Sequence, residues 1–173
     1  MIMDFFAFFD LSYRQWDAIA DSYIPLLALL SVMHLVLYVL HGTHCFKAFI
    51  FQYLKQSSIH IACILLCLIW VYGLMFIDNA LKIWPAFSYD GHILDYSTHT
   101  ALAWVFSCYL FFVYQLRFKL VSVLLLITMG LYLCLMKFQN YHTFADMLTT
   151  SLVVLPPMVF VFKTVTGRTI KTL

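Results

Sequence analysis

"DYSTHTALAWVFSCYL", residues 95–110, leads from a polar cluster, with a histidine between two threonines, into a run of apolar side chains that holds no charge. The run shows neither the alternation of a half-buried strand nor a polar helical face, so it reads as a helix with apolar surroundings on every side. Four more stretches of this kind flank it. With tolerance for Ser, Thr and an isolated His, the length criterion for crossing a bilayer selects residues 22–40, 59–77, 98–115, 120–136 and 145–162.

Composition agrees with that reading. The 173 residues are 64% hydrophobic and 10% charged, with a mean hydropathy of +0.93, too little polar surface to cover a water-soluble globule of this size. The expected fold is an all-α integral membrane bundle of about five transmembrane helices, a single domain over residues 1–173. Residues 1–20 lack the basic segment and cleavage site of a signal peptide and are expected to form an interfacial helix. Phe5, Phe9, Tyr13, Trp16 and Ala20 recur on one side of it and Asp10, Arg14, Asp17 and Asp21 on the other. Phe46, Ile50, Tyr53 and Leu54, with Lys47 and Lys55, suggest a second interfacial helix.

The cysteines have no zinc-ligand spacing. Cys63, Cys67, Cys108 and Cys134 lie in spans and Cys45 alone in a linker, so they read as small apolar packing residues rather than a disulfide framework. No metal and no cofactor is implied. A net charge of +2 without basic runs gives no footprint for nucleic acid.

Five spans sort the loops into two sets. Lys47, Lys55, Arg117, Lys119, Lys163, Arg168 and Lys171 fall on one side, Arg14, Lys82 and Lys137 on the other, seven against three of the ten basic residues. The positive-inside rule makes the first side cytoplasmic, with the N-terminus outside and the C-terminus inside. His92, His99 and His142 then belong to the outer side. Short loops and the lack of a glycosylation sequon favour a bacterial inner membrane with this side facing the periplasm.

Beside the opening stretch stands "KFQNYHTFADMLTTS", residues 137–151. His142 and Asp146 are four residues apart, a spacing that on a helix puts both on one face. A carboxylate there would fix the imidazole tautomer and make the other ring nitrogen more nucleophilic. An ionised Asp about one turn inside a span is expensive unless it is paired or functional. His99 starts the third span on the same side, so two histidines and an aspartate are expected to converge.

"YSTHT" resembles the Ser-Gly-His-Thr motif and "YHTFAD" the His-x-x-x-Asp motif of the type 2 phosphatidic acid phosphatase superfamily, its sphingomyelin synthase branch being nearest. The likeness covers residues 95–151. It implies cleavage or transfer of a lipid phosphate through a phosphohistidine, with His142 as nucleophile, Asp146 orienting it and His99 protonating the leaving oxygen. The implied partner is a phospholipid or polyprenyl (pyro)phosphate substrate among membrane lipids. Ser97, as the expected cap of the third span, and Thr98, in place of the motif glycine, would lie against the phosphate. The family's Lys followed six residues later by Arg-Pro is absent, as is its arginine ahead of the nucleophile; Lys82 and Lys137 are the cations left to hold phosphate.

Two other readings remain open. One is a catalytically silent lipid-binding or scaffold relative, suggested by the missing arginines. The other is haem held by intramembrane histidines such as His34 and His60, against which stands their difference in depth. A hydrogen bond from His34 to a neighbouring helix is the simpler expectation. The loop from Asp78 to Tyr96, with a turn at Asp90-Gly91, is expected to lie in headgroups as an aromatic belt. Pro156 and Pro157 are expected to kink the fifth span.

Overall fold

The computed structural model describes residues 11–43, 47–115 and 118–170, and side chains over 11–40, 53–115 and 118–165. The parts of the expected interfacial segments at residues 1–10 and at Phe46, and Cys45 with them, lie outside the described residues. Five helices follow one another: α1 (Tyr13–Thr43), α2 (Lys47–Leu81), α3 (Thr98–Tyr114), α4 (Lys119–Phe138) and α5 (Phe144–Ile170). The segments Tyr13–Leu40, Tyr53–Leu81, Lys119–Phe138 and Phe144–Val165 are long and apolar enough to cross a membrane. The chain is a membrane-associated helical bundle.

The third span takes a different place from the other four. At 17 residues, α3 is the shortest helix, and nine of its side chains are buried, from Thr100 to Phe112. It packs against every other helix. A helix apolar all round has no face to give to water, and here protein rather than lipid surrounds much of it. The outer helices bury stripes at helical spacing: Trp16, Ala20, Leu27 and Ser31 on α1, and Ser57, His60, Ile64, Cys67 and Val71 on α2. Many of their remaining apolar side chains, Leu26, Leu29, Leu37, Leu65, Ile69 and Phe76 among them, are exposed, as lipid contact requires.

Among the described residues neither expected interfacial helix is separate from a span. Residues from Tyr13 onward are the first turns of the same helix that contains the first span, and Lys47 likewise opens the helix of the second. Trp16 and Ala20 explain the first case, because they are buried against α4, where the Trp16 ring meets Phe138 edge-on at 6.2 Å. The aromatic face expected to float in headgroups is partly spent on helix packing. Helix α5 runs on through Pro156 and Pro157. Cys63, Cys67, Cys108 and Cys134 are free thiols.

Between α2 and α3 the chain makes a short 3₁₀ turn, Trp84–Ala86, and a two-stranded hairpin of β1 (Ser88–Tyr89) and β2 (His92–Ile93). The expected Asp90-Gly91 turn closes it, with φ of 50° and 76°, the left-handed pair that a two-residue hairpin needs. Trp84 ties this loop down. Its ring is buried 4.9 Å from Tyr96, its Nε1 donates to Thr149 of α5 at 3.2 Å, and its backbone amide donates to the buried Asp78 carboxylate at 2.8 Å.

Candidate functional site

Helix polarity alternates, so the starts of α1, α3 and α5 and the ends of α2 and α4 meet at one end of the bundle. The link from α4 to α5 is set by two local devices. Asn140 takes a left-handed φ of 58°. The Asn140 amide bonds the Lys137 carbonyl and the Tyr141 amide reaches back to Met136 at 3.1 Å, the pattern of a Schellman stop. Two residues later a capping box opens α5. Thr143 Oγ1 accepts from the Asp146 amide at 3.2 Å, and Asp146 Oδ2 accepts from the Thr143 amide at 2.8 Å and its hydroxyl at 2.7 Å. His142 lies between the two devices, before the helix begins.

This placement changes the expected role of Asp146. Because His142 precedes α5 rather than sitting one turn before Asp146 within it, the four-residue spacing does not align the two side chains on a helical face. Asp146 is buried, and its other oxygen accepts from the Asp95 amide at 2.9 Å. Among the described residues no hydrogen bond joins it to His142. Its carboxylate still acts through space: burial lowers the His142 pKa from its ordinary value, Asp95 and Asp146 pull it back up, and His99 lowers it.

The start of α3 is fixed by the same face of α5. The Ser97 amide donates to Thr150 Oγ1 at 3.0 Å, one helical turn beyond Asp146, so α5 holds alternate amides of residues 95 and 97. Ser97 is the cap, as expected: its hydroxyl accepts from the Thr100 amide at 3.3 Å and donates to Thr100 Oγ1 at 2.7 Å. Being wholly buried, its side chain is occupied by that duty. Thr98, half-buried, and His99, exposed, follow in the first turn, where amides have no acceptor within their own helix.

The two histidines do come together. Their ring centroids are 6.4 Å apart with planes at 51°, His99 exposed and His142 half-buried. Tyr141 was not anticipated. Its ring lies tilted against His99 at 6.0 Å and 34°, and its hydroxyl donates to Asp17 of α1, a carboxylate that pushes the phenol up to about 12. Lys82, exposed just past α2, and Lys137, half-buried in the last turn of α4, share this end of the bundle. Neither ammonium makes a hydrogen bond or ion pair among the described residues. His92 is in the hairpin, exposed.

At the other end, His34 Nδ1 lies 2.9 Å from the Tyr109 hydroxyl of α3, the interhelical bond expected of it. His60 Nε2 lies 3.3 Å from Gln56, and both imidazoles pack edge-on against the Tyr109 ring at 5.8 Å. A bis-histidine haem needs two imidazoles facing across an open gap, and these are instead turned onto one phenol. Among the described residues no group of three His, Cys, Asp or Glu is placed to hold a metal ion. Comparison with family models, curated proteins and solved structures finds no match to this chain.

Proposed function

We propose that this chain is a membrane enzyme that cleaves or transfers the phosphate group of a lipid, with His142 as nucleophile and His99 as general acid, acting at the outer leaflet. One observation carries the reading: two imidazoles from distant parts of the chain come within 6.4 Å of each other, centroid to centroid, at one end of the bundle. Two imidazoles this close can reach the same phosphoryl group. In-line attack wants nucleophile and phosphorus about 3–3.5 Å apart, and the acid about 2.6–3.2 Å from the leaving oxygen.

The division of labour follows from surroundings. His142 is the more buried ring and its lowered pKa keeps it neutral, with a lone pair to attack phosphorus. As the N–P bond forms, the P–O bond to the lipid alkoxide breaks, and exposed His99 gives that oxygen its proton. In the second half, neutral His99 takes a proton from water or from a lipid hydroxyl. The resulting oxygen nucleophile displaces His142 from phosphorus. The unpaired amides at the start of α3, aided by the helix dipole, stabilise the equatorial oxygens, with Lys82 and Lys137 adding positive charge. Ser97 and Asp146 serve by holding α3 and α5 in place, and the bacterial inner membrane, site facing the periplasm, remains the proposed setting.

The second reading is a lipid-binding protein without catalysis, favoured by the commitment of Asp146 and Ser97 to helix caps. Turnover decides between them. On a lipid phosphate with an alkoxide leaving group, His99→Ala should cost about 10²- to 10⁴-fold, the usual range for a general acid. On nitrophenyl phosphate, whose leaving group departs without a proton, it should cost far less in kcat/KM, which reads the phosphorylation of His142 alone. Absence of turnover by the native chain on any lipid phosphate or pyrophosphate would leave the binding protein as the reading.

A further inference from the structure

The phenol ring beside His99 is held from both sides. Tyr141 has its backbone fixed by the Schellman stop of α4, its amide bonding Met136 at 3.1 Å. Its hydroxyl is held by Asp17 near the start of α1. Asp17 in turn is placed by its neighbours Trp16 and Ala20, both buried against α4. The result is a rigid phenol face, 6.0 Å from the His99 centroid and tilted by 34°. His99 itself is exposed and makes no side-chain hydrogen bond among the described residues, where its ring neighbours are Tyr141 and His142.

We propose that Tyr141, tethered by Asp17, is the positioning residue for His99. It turns the acid ring toward His142, and through it the packing of α1 controls proton delivery to the leaving oxygen. This rests on the phosphoryl-transfer reading above. The physical case has two parts. General acid catalysis depends on the donor being within hydrogen-bond reach of the leaving oxygen, and an exposed imidazole without a partner spends little time there. A tethered neighbouring ring also narrows the rotamers open to His99. Asp17 lies 124 residues from Tyr141 in the chain, so the tether exists only in the folded bundle.

The test uses the full chain in lipid nanodiscs, with turnover on an alkoxide-leaving lipid phosphate and on nitrophenyl phosphate, and with ring-labelled histidine to follow the His99 resonance by NMR. Tyr141→Leu and Asp17→Ala should each slow the lipid substrate by about 3- to 10-fold, the scale of one aromatic contact. They should leave kcat/KM for nitrophenyl phosphate nearly untouched and add no loss in the His99→Ala background. Asp17→Asn, which keeps an acceptor for the Tyr141 hydroxyl, should recover most of the rate, whereas Tyr141→Phe, which keeps the ring but loses the tether, should match Asp17→Ala. Equal losses on both substrates, or losses that add to His99→Ala, overturn the proposal. The NMR arm stands apart from activity: the His99 resonance should move in Tyr141→Leu and in Asp17→Ala. An unmoved resonance overturns the positioning role even in an active enzyme, whereas a moved one with no turnover in the native chain tells against phosphoryl transfer instead. Should Tyr141→Leu fail to fold, Asp17→Ala, at a half-buried site, carries both readouts.

Discussion

Replacing Asp146 by asparagine separates a carboxylate that builds the site from one that takes part in the chemistry. In the structure its two oxygens accept three hydrogen bonds, from the Thr143 amide and hydroxyl at 2.8 and 2.7 Å and from the Asp95 amide at 2.9 Å. Asparagine offers one acceptor oxygen. Whichever way it turns, its NH₂ meets either the Thr143 or the Asp95 amide, donor against donor, in a buried place. The loss is that of one hydrogen bond to a charged group, about 1.5–3 kcal/mol. For a chain of this length that corresponds to a fall in melting temperature of roughly 3–12 °C. Circular dichroism melts and SDS titrations of purified protein would read it. Turnover well below the melting point should stay within about tenfold of the native enzyme, because the neutral form of His142 persists when a carboxylate is removed from its neighbourhood. An Asp146→Asn protein as stable as the native one but without activity would refute the reasoning and return Asp146 to the role of carboxylate orienting His142.

Two further outcomes follow from the same geometry. Burial lowers the His142 pKa from the ordinary 6.5, so the unfolded chain binds the proton more tightly than the folded one. Stability contributed by neutral His142 should therefore be complete above about pH 6.5 and decline as pH falls through the interval below it, with the acid limb of kcat/KM also lying below 6.5. Melts from pH 8 to pH 5 should show this slope and His142→Gln should flatten it; a melting temperature that rises on acidification contradicts the assignment. Single cysteines at Asp95 and Asn140, both exposed at the site end, should react with an impermeant maleimide added from outside, in a background lacking Cys45, Cys63, Cys67, Cys108 and Cys134. Labelling only after permeabilisation would reverse the proposed orientation.

The helical bundle could be read from hydropathy because the need for internal backbone hydrogen bonds in lipid leaves few alternatives, and long apolar runs announce it. Helix starts with local chemical signatures were equally legible: Ser97 caps α3, and Asp90-Gly91 turns the hairpin. Asn140 and Thr143-x-x-Asp146 also carried their signals, a left-handed stop and a capping box. The His142–Asp146 spacing was read as one helical face instead, because the sequence alone did not show that α5 starts only after His142. The extension of α1 back to Tyr13 was hidden for another reason. Trp16 and Ala20 look like an interfacial face until α4 is present to receive them. The contacts of Thr150 with the Ser97 amide and of Tyr141 with Asp17 join residues 53 and 124 positions apart, and no local pattern encodes them.

The central claim is that phosphorus becomes bonded to His142. Rapid quenching of the protein during turnover, followed by peptide mass spectrometry under alkaline conditions that preserve phosphohistidine, addresses it directly. The account predicts a phosphoryl group on His142, absent from His142→Ala. It should accumulate in His99→Ala supplied with nitrophenyl phosphate, since that variant forms the intermediate without a base to help resolve it. Phosphate on a different residue, or undiminished turnover by His142→Ala, would contradict the account.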